Sequence, residues 1–526
     1  MAPHRWYWGP TRILGETPGV EGNAIAEMPF FTFIYGDLHA HMIAMPLHFL
    51  ALAFLLNEVL SARGGHRTRW QGALAIALGA ITVGMLLPTN SWDWITYILL
   101  MTLGLGYAWW LGYGRINRRS LVALVASVGG FLALSWLAAL PFSSWFASAY
   151  TSVQAWTGGK TPLWAYFSIY GLFLLLLISV LVWDTGRWLR EVRVRALRGI
   201  VPFLIAGALL IGTALLGALV AALAGYQVAL ITAPLLIWIM ILFFRPGQSR
   251  AMQFWLALSG LALALTLGVE IVVLSGDIGR QNTVFKFYIQ AWLLLSVTGG
   301  AAFAWLWQSA ERWTGFLRNG WTWAVLVLVG IAGLYPVMAT YGRSLDRFSR
   351  DVPLTLDGMA YMNYAEYGEN SQWINLADDY GVIRWLQENV EGLPTIMEGQ
   401  SEPNLYKWGS RISINTGLPA VIGWDWHQTQ QRGLHNMTAF VRQRGSNVNA
   451  FYSTDDIDLA LRMIDFYGVD YIVVSTLERL YYPLDGLAKF EQMTRLGLLE
   501  RVYQEGNARI YRVVTTERVE VAAGGG

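Results

Sequence analysis

An alternation constrains this chain more than any other feature: long apolar stretches are separated by loops, and every second loop carries arginines. Ten stretches have the length and composition to span a bilayer, at roughly 42–62, 71–88, 94–112, 121–140, 163–183, 200–223, 227–244, 252–274, 287–308 and 321–341; about 20 residues are needed to cross the hydrocarbon core. The pair flanking Gly225 reads either as two spans or as one re-entrant hairpin. Only 14% of the 526 residues are charged and 55% are hydrophobic, whereas soluble domains carry about 25% charged residues. Much of the surface must therefore face lipid. One set of loops holds Arg63, Arg67 and Arg69, then Arg115, Arg118 and Arg119, then Arg187, Arg190, Arg193, Arg195 and Arg198, then Arg245 and Arg250, and last Arg312 and Arg318. The opposite set holds only Lys160, Arg280 and Lys286 as basic residues. Basic loops stay in the cytoplasm. The expected fold class is thus an α-helical polytopic membrane protein of about ten transmembrane helices, multi-pass in the plasma membrane. The predicted division is an exoplasmic N-terminal loop, 1–41, a transmembrane domain, 42–341, and an exoplasmic soluble α/β domain, 342–526.

In the last region the patterning changes. Val382, Ile383, Leu386 and Val390 recur at helical spacing and predict an amphipathic helix over 379–390. Residues 395–398 and 412–415 read as short strands, and 428–443 as a polar helical stretch. A helix over 455–467 is expected to start at Thr454 or Asp455, and a buried strand over 469–475 to follow it. A further helix over 488–496 is expected to stop at Gly497, ahead of a hairpin turning at Gly506-Asn507 and a frayed glycine end.

The unusual polar residues collect in the loops predicted to lie outside. The first fifteen-residue cluster runs from Glu27 to His41 and ends in Asp37-x-His39-x-His41, directly before an apolar span. In an extended segment alternate side chains point to one side, so Asp37, His39 and His41 suit a divalent metal such as Mg or Mn, or a phosphate; a loop bonded only to backbone and water is the plain alternative. Asp93, in Pro88-Thr-Asn-Ser-Trp-Asp-Trp94, stands where a helix begins and reads as a cap or as a substrate ligand. Arg280, Asn282 and Lys286 lie in one outer loop. Two cations there, against the charge rule, call for a reason, and a phosphate headgroup supplies one; ion pairing with Asp277, Glu270 or an acid of the first loop is the other. Trp424 and His427, in Gly423-Trp-Asp-Trp-His, offer a stacking face and a polar rim suited to a sugar, or else to packing at the membrane surface. Asn436-Met-Thr438 fits a glycosylation sequon. Trp156-Thr-Gly-Gly-Lys-Thr161 fails the phosphate-loop pattern, because position 154 is Gln. The absence of cysteine excludes disulfides, thiolate metal sites and a Cys nucleophile. No H-E-x-x-H, G-x-S-x-G, dinucleotide fingerprint or basic-aromatic nucleic-acid patch occurs, so nucleic acid is not an expected partner.

Glu27-Met-Pro-Phe-Phe-Thr-Phe with Gly36-Asp-Leu-His-Ala-His41, Arg280-Gln-Asn-Thr-Val-Phe-Lys-Phe-Tyr288, Gly417-Leu-Pro with Gly423-Trp, and Tyr467-Gly-Val-Asp-Tyr-Ile-Val-Val-Ser with Leu477-Glu-Arg resemble, in this order, the "YYY" polytopic membrane-protein family. That family has no assigned function and looks related to the GT-C class of membrane glycosyltransferases. The resemblance implies transfer of a sugar from a polyprenyl-phosphate carrier on the exoplasmic face, with membrane lipids and the lipid-linked sugar as partners. It implies Asp37 or Glu27 as catalytic acid or base, His39 and His41 orienting metal or phosphate, and Arg280, Asn282, Lys286 and Asp93 at the donor, with Trp424 and His427 at the acceptor. Metal-dependent hydrolysis of a lipid phosphate and a non-enzymatic scaffold are the alternatives. In GT-C enzymes a helix precedes the acid-bearing loop, so a partner chain supplying N-terminal helices is a further expectation. No cleavable signal peptide is visible in the first forty residues.

Overall fold

The computed structural model describes residues 4–14, 24–36, 38–62, 68–147, 152–191, 201–403, 405–432 and 437–514. Asp37, Arg63, Arg67, Arg193, Arg195, Arg198, Asn436 and the terminal glycines lie outside the described residues. The chain divides into two compact units, Met1–Ser144 with Tyr150–Arg347, and Trp145–Ala149 with Phe348–Gly526.

In the first unit two short helices, α1 (His4–Trp8) and α2 (Pro29–Tyr35), precede the apolar bundle. Among the described residues, eight helices have the length and composition to cross a membrane. They are α3 (Ala40–Ser61), α4 (Arg69–Thr89), α5 (Ser91–Tyr113), α6 (Arg118–Ser143), α7 (Leu163–Glu191), α10 (Arg250–Ile271), α11 (Gln281–Ala310) and α12 (Gly315–Arg347). Between α7 and α10 stand α8 (Val201–Leu223) and α9 (Ala229–Phe244), the two segments flanking Gly225; their described apolar parts are shorter, at 207–223 and 229–244. Among the described residues, an apolar helix thus falls in each of the ten expected stretches, and eight of these helices are long enough to cross a membrane.

Local chemistry sets the helix starts. The Thr68 hydroxyl accepts from the Gln71 amide while the Gln71 side chain accepts from Thr68 N–H, so α4 opens on a capping box. Ser249 caps α10 through Met252 N–H. Small residues set the helix contacts. A Cβ on Gly84 would lie 2.5 Å from the Ser135 carbonyl oxygen, and Ser135 Oγ donates to Ala80 O at 2.8 Å. In lipid, where apolar side chains gain nothing by leaving their solvent, such close backbone approach holds helices together. A two-stranded antiparallel ribbon, β1 (Val153–Ala155) with β2 (Val272–Leu274), ties the loop before α7 to the end of α10.

The second unit carries a hairpin, β3 (Glu366–Glu369) with β4 (Gln372–Asn375), and a four-stranded sheet of order β5-β6-β8-β7. In that sheet β5 (Thr395–Met397) runs parallel to β6 (Val469–Val474), and β8 (Ala508–Val513) is antiparallel to both β6 and β7 (Leu499–Glu505). Helix α13 (Leu376–Asn389) buries Val382, Ile383 and Leu386. Val390 caps its end in extended conformation.

Three sequence expectations are corrected here. Residues 412–415 form no strand; they belong to a helical turn, α14 (Arg411–Thr416). The Glu398 carboxylate accepts from the Ile412 and Ser413 amides at 2.9 and 3.0 Å, satisfying the free donors of a helix start, and Gly417, at φ +75°, ends it. The polar stretch after 423 is two helices, α15 (Asp425–Gln431) and α16 (Met437–Ser453). The cap of α17 (Ile457–Tyr467) is Asp456, one residue beyond the expected pair, accepting from Asp458 and Leu459 N–H. Two helices, α18 (Thr476–Tyr481) and α19 (Leu484–Arg495), follow β6.

Candidate active site at the start of the membrane helices

Pro29 opens α2 with its φ already fixed, and Gly36, at φ +85°, closes it in the left-handed region that turns the chain back. His39 then serves as N-cap of α3 and His41 falls in its first turn. The extended geometry expected here ends at His39, since His41 is helical; the two imidazoles meet edge to face, 4.5 Å between ring centroids.

They line a cavity of about 310 Å³ together with Glu27, Thr32, Arg12 and Asn282, walled by Trp8 and Phe285. His41 is 1% exposed. Its Nε2 lies 2.7 Å from Thr32 Oγ1 and 3.7 Å from Glu27 Oε2, and Thr32 Oγ1 stands 3.4 Å from the same carboxylate. One hydroxyl proton satisfies both Thr32 contacts when His41 donates from Nε2 and Thr32 donates to Glu27. That tautomer leaves Nδ1 as the acceptor, and among the described residues it has no partner. Burial pulls the Arg12 guanidinium below its ordinary value, with Glu27 acting in the opposite sense.

Helix α11 brings Asn282, Lys286 and Gln290 to one face at intervals of four. Asp277 orders its start, its carboxylate accepting from the Asn282 and Thr283 amides at 3.0 and 2.7 Å and from Asn282 Nδ2 at 3.1 Å. Lys286 holds its ammonium 4.7 Å from the Phe285 ring centre, within electrostatic reach of Asp93 and Glu27.

Asp93 is no cap. Its side chain is fully buried and faces three partners: His48 Nε2 at 2.8 Å, Asn90 Nδ2 at 2.7 Å and Gln290 Nε2 at 2.7 Å. His48 stacks on Tyr97 at 4.5 Å. Sequence reading missed His48 and Gln290, although the signal was present: each is a polar residue inside an apolar span, seven after His41 and four after Lys286.

Arg280 stands in a separate node and is not among the residues lining the cavity. It donates to Glu270 Oε1 at 2.8 Å and to Thr161 Oγ1 at 3.2 Å, and is 4% exposed. Of its two expected roles, the ion pair is the one seen. Glu270 also accepts from Thr161 N–H at 2.9 Å, and Lys160 donates to the Glu270 carbonyl at 2.9 Å. Trp424 and His427 belong to the second unit. Trp424 Nε1 donates to the Lys407 and Gly409 carbonyls at 3.1 and 3.0 Å. His427 Nδ1 lies 3.2 Å from Tyr406 Oη, and burial lowers its pKa below the ordinary value. Among the described residues, no group of three His, Asp or Glu side chains is placed to hold a metal ion; Asp37, the third member of the expected set, lies outside them.

Apolar helices of this length, with ionisable groups gathered where α3, α5 and α11 meet, define a polytopic membrane protein with a polar site at one end of its bundle. The model of a family of uncharacterised membrane proteins, DUF2298, matches residues 1–295. The chain belongs to that family. None of the curated proteins matches it.

Proposed function

We propose that this chain is a GT-C-type glycosyltransferase of the plasma membrane, transferring a sugar from a polyprenyl-phosphate carrier at the exoplasmic face. One observation carries the reading: the polar cavity and an apolar groove share the N-terminal segment as a common wall. The groove, about 680 Å³, is lined by Trp6, Pro10, Ile13, Met28 and Phe30 and by residues of α7, α11 and α12. The cavity takes Trp8, Arg12, Glu27 and Phe31 from the same segment. A ligand with a charged sugar-phosphate head and a long hydrocarbon tail fits this pair, as does no wholly polar or wholly apolar one.

Glu27 is the base on this reading. It takes the proton of the acceptor hydroxyl as that oxygen attacks the anomeric carbon. The bond from that carbon to the phosphate oxygen breaks, and the carrier phosphate leaves with the electron pair. Lys286, one helical turn beyond Asn282 on α11 and within electrostatic reach of Glu27, offsets the charge that grows on the phosphate, where a fixed cation in a dry site acts most strongly. His41 and Thr32 orient the Glu27 carboxylate. Arg280, committed to Glu270, holds the loop that starts α11.

Native mass spectrometry of the purified full chain, with farnesyl phosphate as added probe, tests this. Wild type should retain the probe, Lys286→Met should retain at least tenfold less, and Glu27→Gln, which alters the base and not the phosphate's cation, should retain it as wild type does. A wild type that retains neither the probe nor any co-purified polyprenyl phosphate would overturn the proposal.

A further inference from the structure

A single helical turn, Gly9–Arg12, separates the two spaces along the N-terminal segment. Gly9, Pro10 and the following Ile13 line the apolar groove, whereas Arg12 lines the polar cavity. The guanidinium is held from two sides. Thr11, fully buried, donates from Oγ1 to the Trp8 carbonyl at 2.9 Å, and Arg12 Nη1 donates to that same Oγ1 at 2.9 Å. Arg12 Cζ also lies 5.5 Å from the centre of the Trp8 ring, itself a wall of the cavity.

A guanidinium carries five N–H donors, and these contacts use one. Among the described residues Nε and Nη2 make no hydrogen bond, so the Nε–Nη2 edge is unspent. Those two parallel donors match two oxygens of one phosphate. Charge points the same way. A phosphate entering beside the Glu27 carboxylate needs a cation at hand, and Arg12 is the one cation among the residues lining the cavity. Arg5 lines the groove instead and is exposed, where water and salt weaken its pull. Lys286 is not a lining residue, and its ammonium is a point charge without a fork.

We infer that Arg12 is the phosphate-binding residue of this site. Its Nε–Nη2 edge takes the two non-bridging oxygens of a lipid phosphodiester, and the hydrocarbon tail leaves the cavity for the groove past Pro10 and Ile13. This rests on the lipid-linked transfer proposed above and names the group that grips its donor.

The test uses the full chain and native mass spectrometry, with farnesyl phosphate, farnesol and inorganic phosphate as separate probes. Arg12→Gln should lower farnesyl phosphate retention about tenfold or more, the loss expected for charge-assisted hydrogen bonds, and leave farnesol retention as in wild type. Arg12→Lys, which keeps the charge and loses the fork, should still lower farnesyl phosphate retention, by about threefold. Arg5→Gln should lower it less than either. Farnesyl phosphate retention unchanged in Arg12→Gln overturns this inference alone. So does an equal loss of farnesol, which would mean that Arg12 acts through the fold of the segment, or an equal effect at Arg5, which would mean unspecific attraction. Should Arg12→Gln fail to fold, Arg12→Lys decides: full retention there overturns the fork. Inorganic phosphate held as tightly as farnesyl phosphate would make free phosphate the ligand and overturn the lipid assignment. A wild type that retains no farnesyl phosphate overturns the transferase reading first, and this one with it.

Discussion

Replacing Arg411 by methionine should destabilise the second unit more than any other single change there. The guanidinium is 1% exposed. It donates from Nε to Asp379 Oδ2 at 2.7 Å, from Nη1 and Nη2 to the two oxygens of Glu478 at 3.1 and 2.9 Å, and from Nη2 to Ser475 Oγ at 2.9 Å. Glu398 stands 3.8 Å from Nη1, and burial raises its pKa while Arg411 opposes the rise. Methionine fills much of the volume but leaves two buried carboxylates without their cation. Breaking a buried ion pair by removing one partner costs about 3–5 kcal/mol. Local donors moderate the loss: Asp379 keeps Trp408 Nε1 at 2.7 Å, and Glu478 keeps the Ser475 and Gly399 amides at 2.8 Å each. We therefore expect about 3 kcal/mol, the lower end of that range. Hydrogen exchange of the full chain reads it directly, as a loss of protection in β5, β6 and α14 of about a hundredfold, with the membrane helices unchanged. A loss below fivefold, about 1 kcal/mol, would show that the carboxylates do not depend on this cation and would refute the argument.

Three further outcomes follow from the same reasoning. Lys489, 2% exposed with its ammonium on the Phe451 and Gly486 carbonyls, has its pKa pulled down to about 7 by burial, with Asp455 acting in the opposite sense. Between about 7 and the ordinary lysine value of about 10.4 the unfolded chain binds more protons. This group's contribution is therefore fully present above that window and lost as pH falls to 7, at about 1.4 kcal/mol per pH unit. Protection of α19 should rise with pH across the window, and Lys489→Met should flatten the rise. Asp93→Ala strands the two amides that donate to it, Asn90 Nδ2 and Gln290 Nε2, and should lower the thermal midpoint in detergent, each orphaned group costing about 1–3 kcal/mol; Asp93→Asn, which keeps the shape, should lose less than half as much. Gly84→Ala drives a Cβ to 2.5 Å from the Ser135 carbonyl and 2.9 Å from Ala138 Cβ, so α4 and α6 must part; a thermal shift matching about 1–3 kcal/mol is expected, and an unchanged midpoint would show that the two helices do not pack this closely.

The sequence exposed the membrane helices well because their signal is additive: every residue of a span contributes to the same apolar average. The cavity was half legible for the opposite reason. Glu27, His39, His41 and Asn282 stand out as polar residues near helix starts, and all four line it. The surroundings of the two cations of the α11 loop depended on pairings that spacing does not encode. Arg280 and Lys286 look alike in the sequence, six residues apart in one loop. Yet Glu270 and Thr161, from two other segments, close around Arg280, while Lys286, a helical turn beyond Asn282, turns toward Asp93 and Glu27. Asp93 shows the same limit. As a residue in the first turn of α5 it matches a capping pattern, but the groups that fix its role, His48 and Gln290, come from helices forty-five residues before it and nearly two hundred after it. In lipid a carboxylate has no water to turn to, so its partners must come from neighbouring helices. Tertiary contact decides which of two similar residues is closed into a buried ion pair. That is why the charge near a membrane site can be counted from sequence while its assignment waits for the fold.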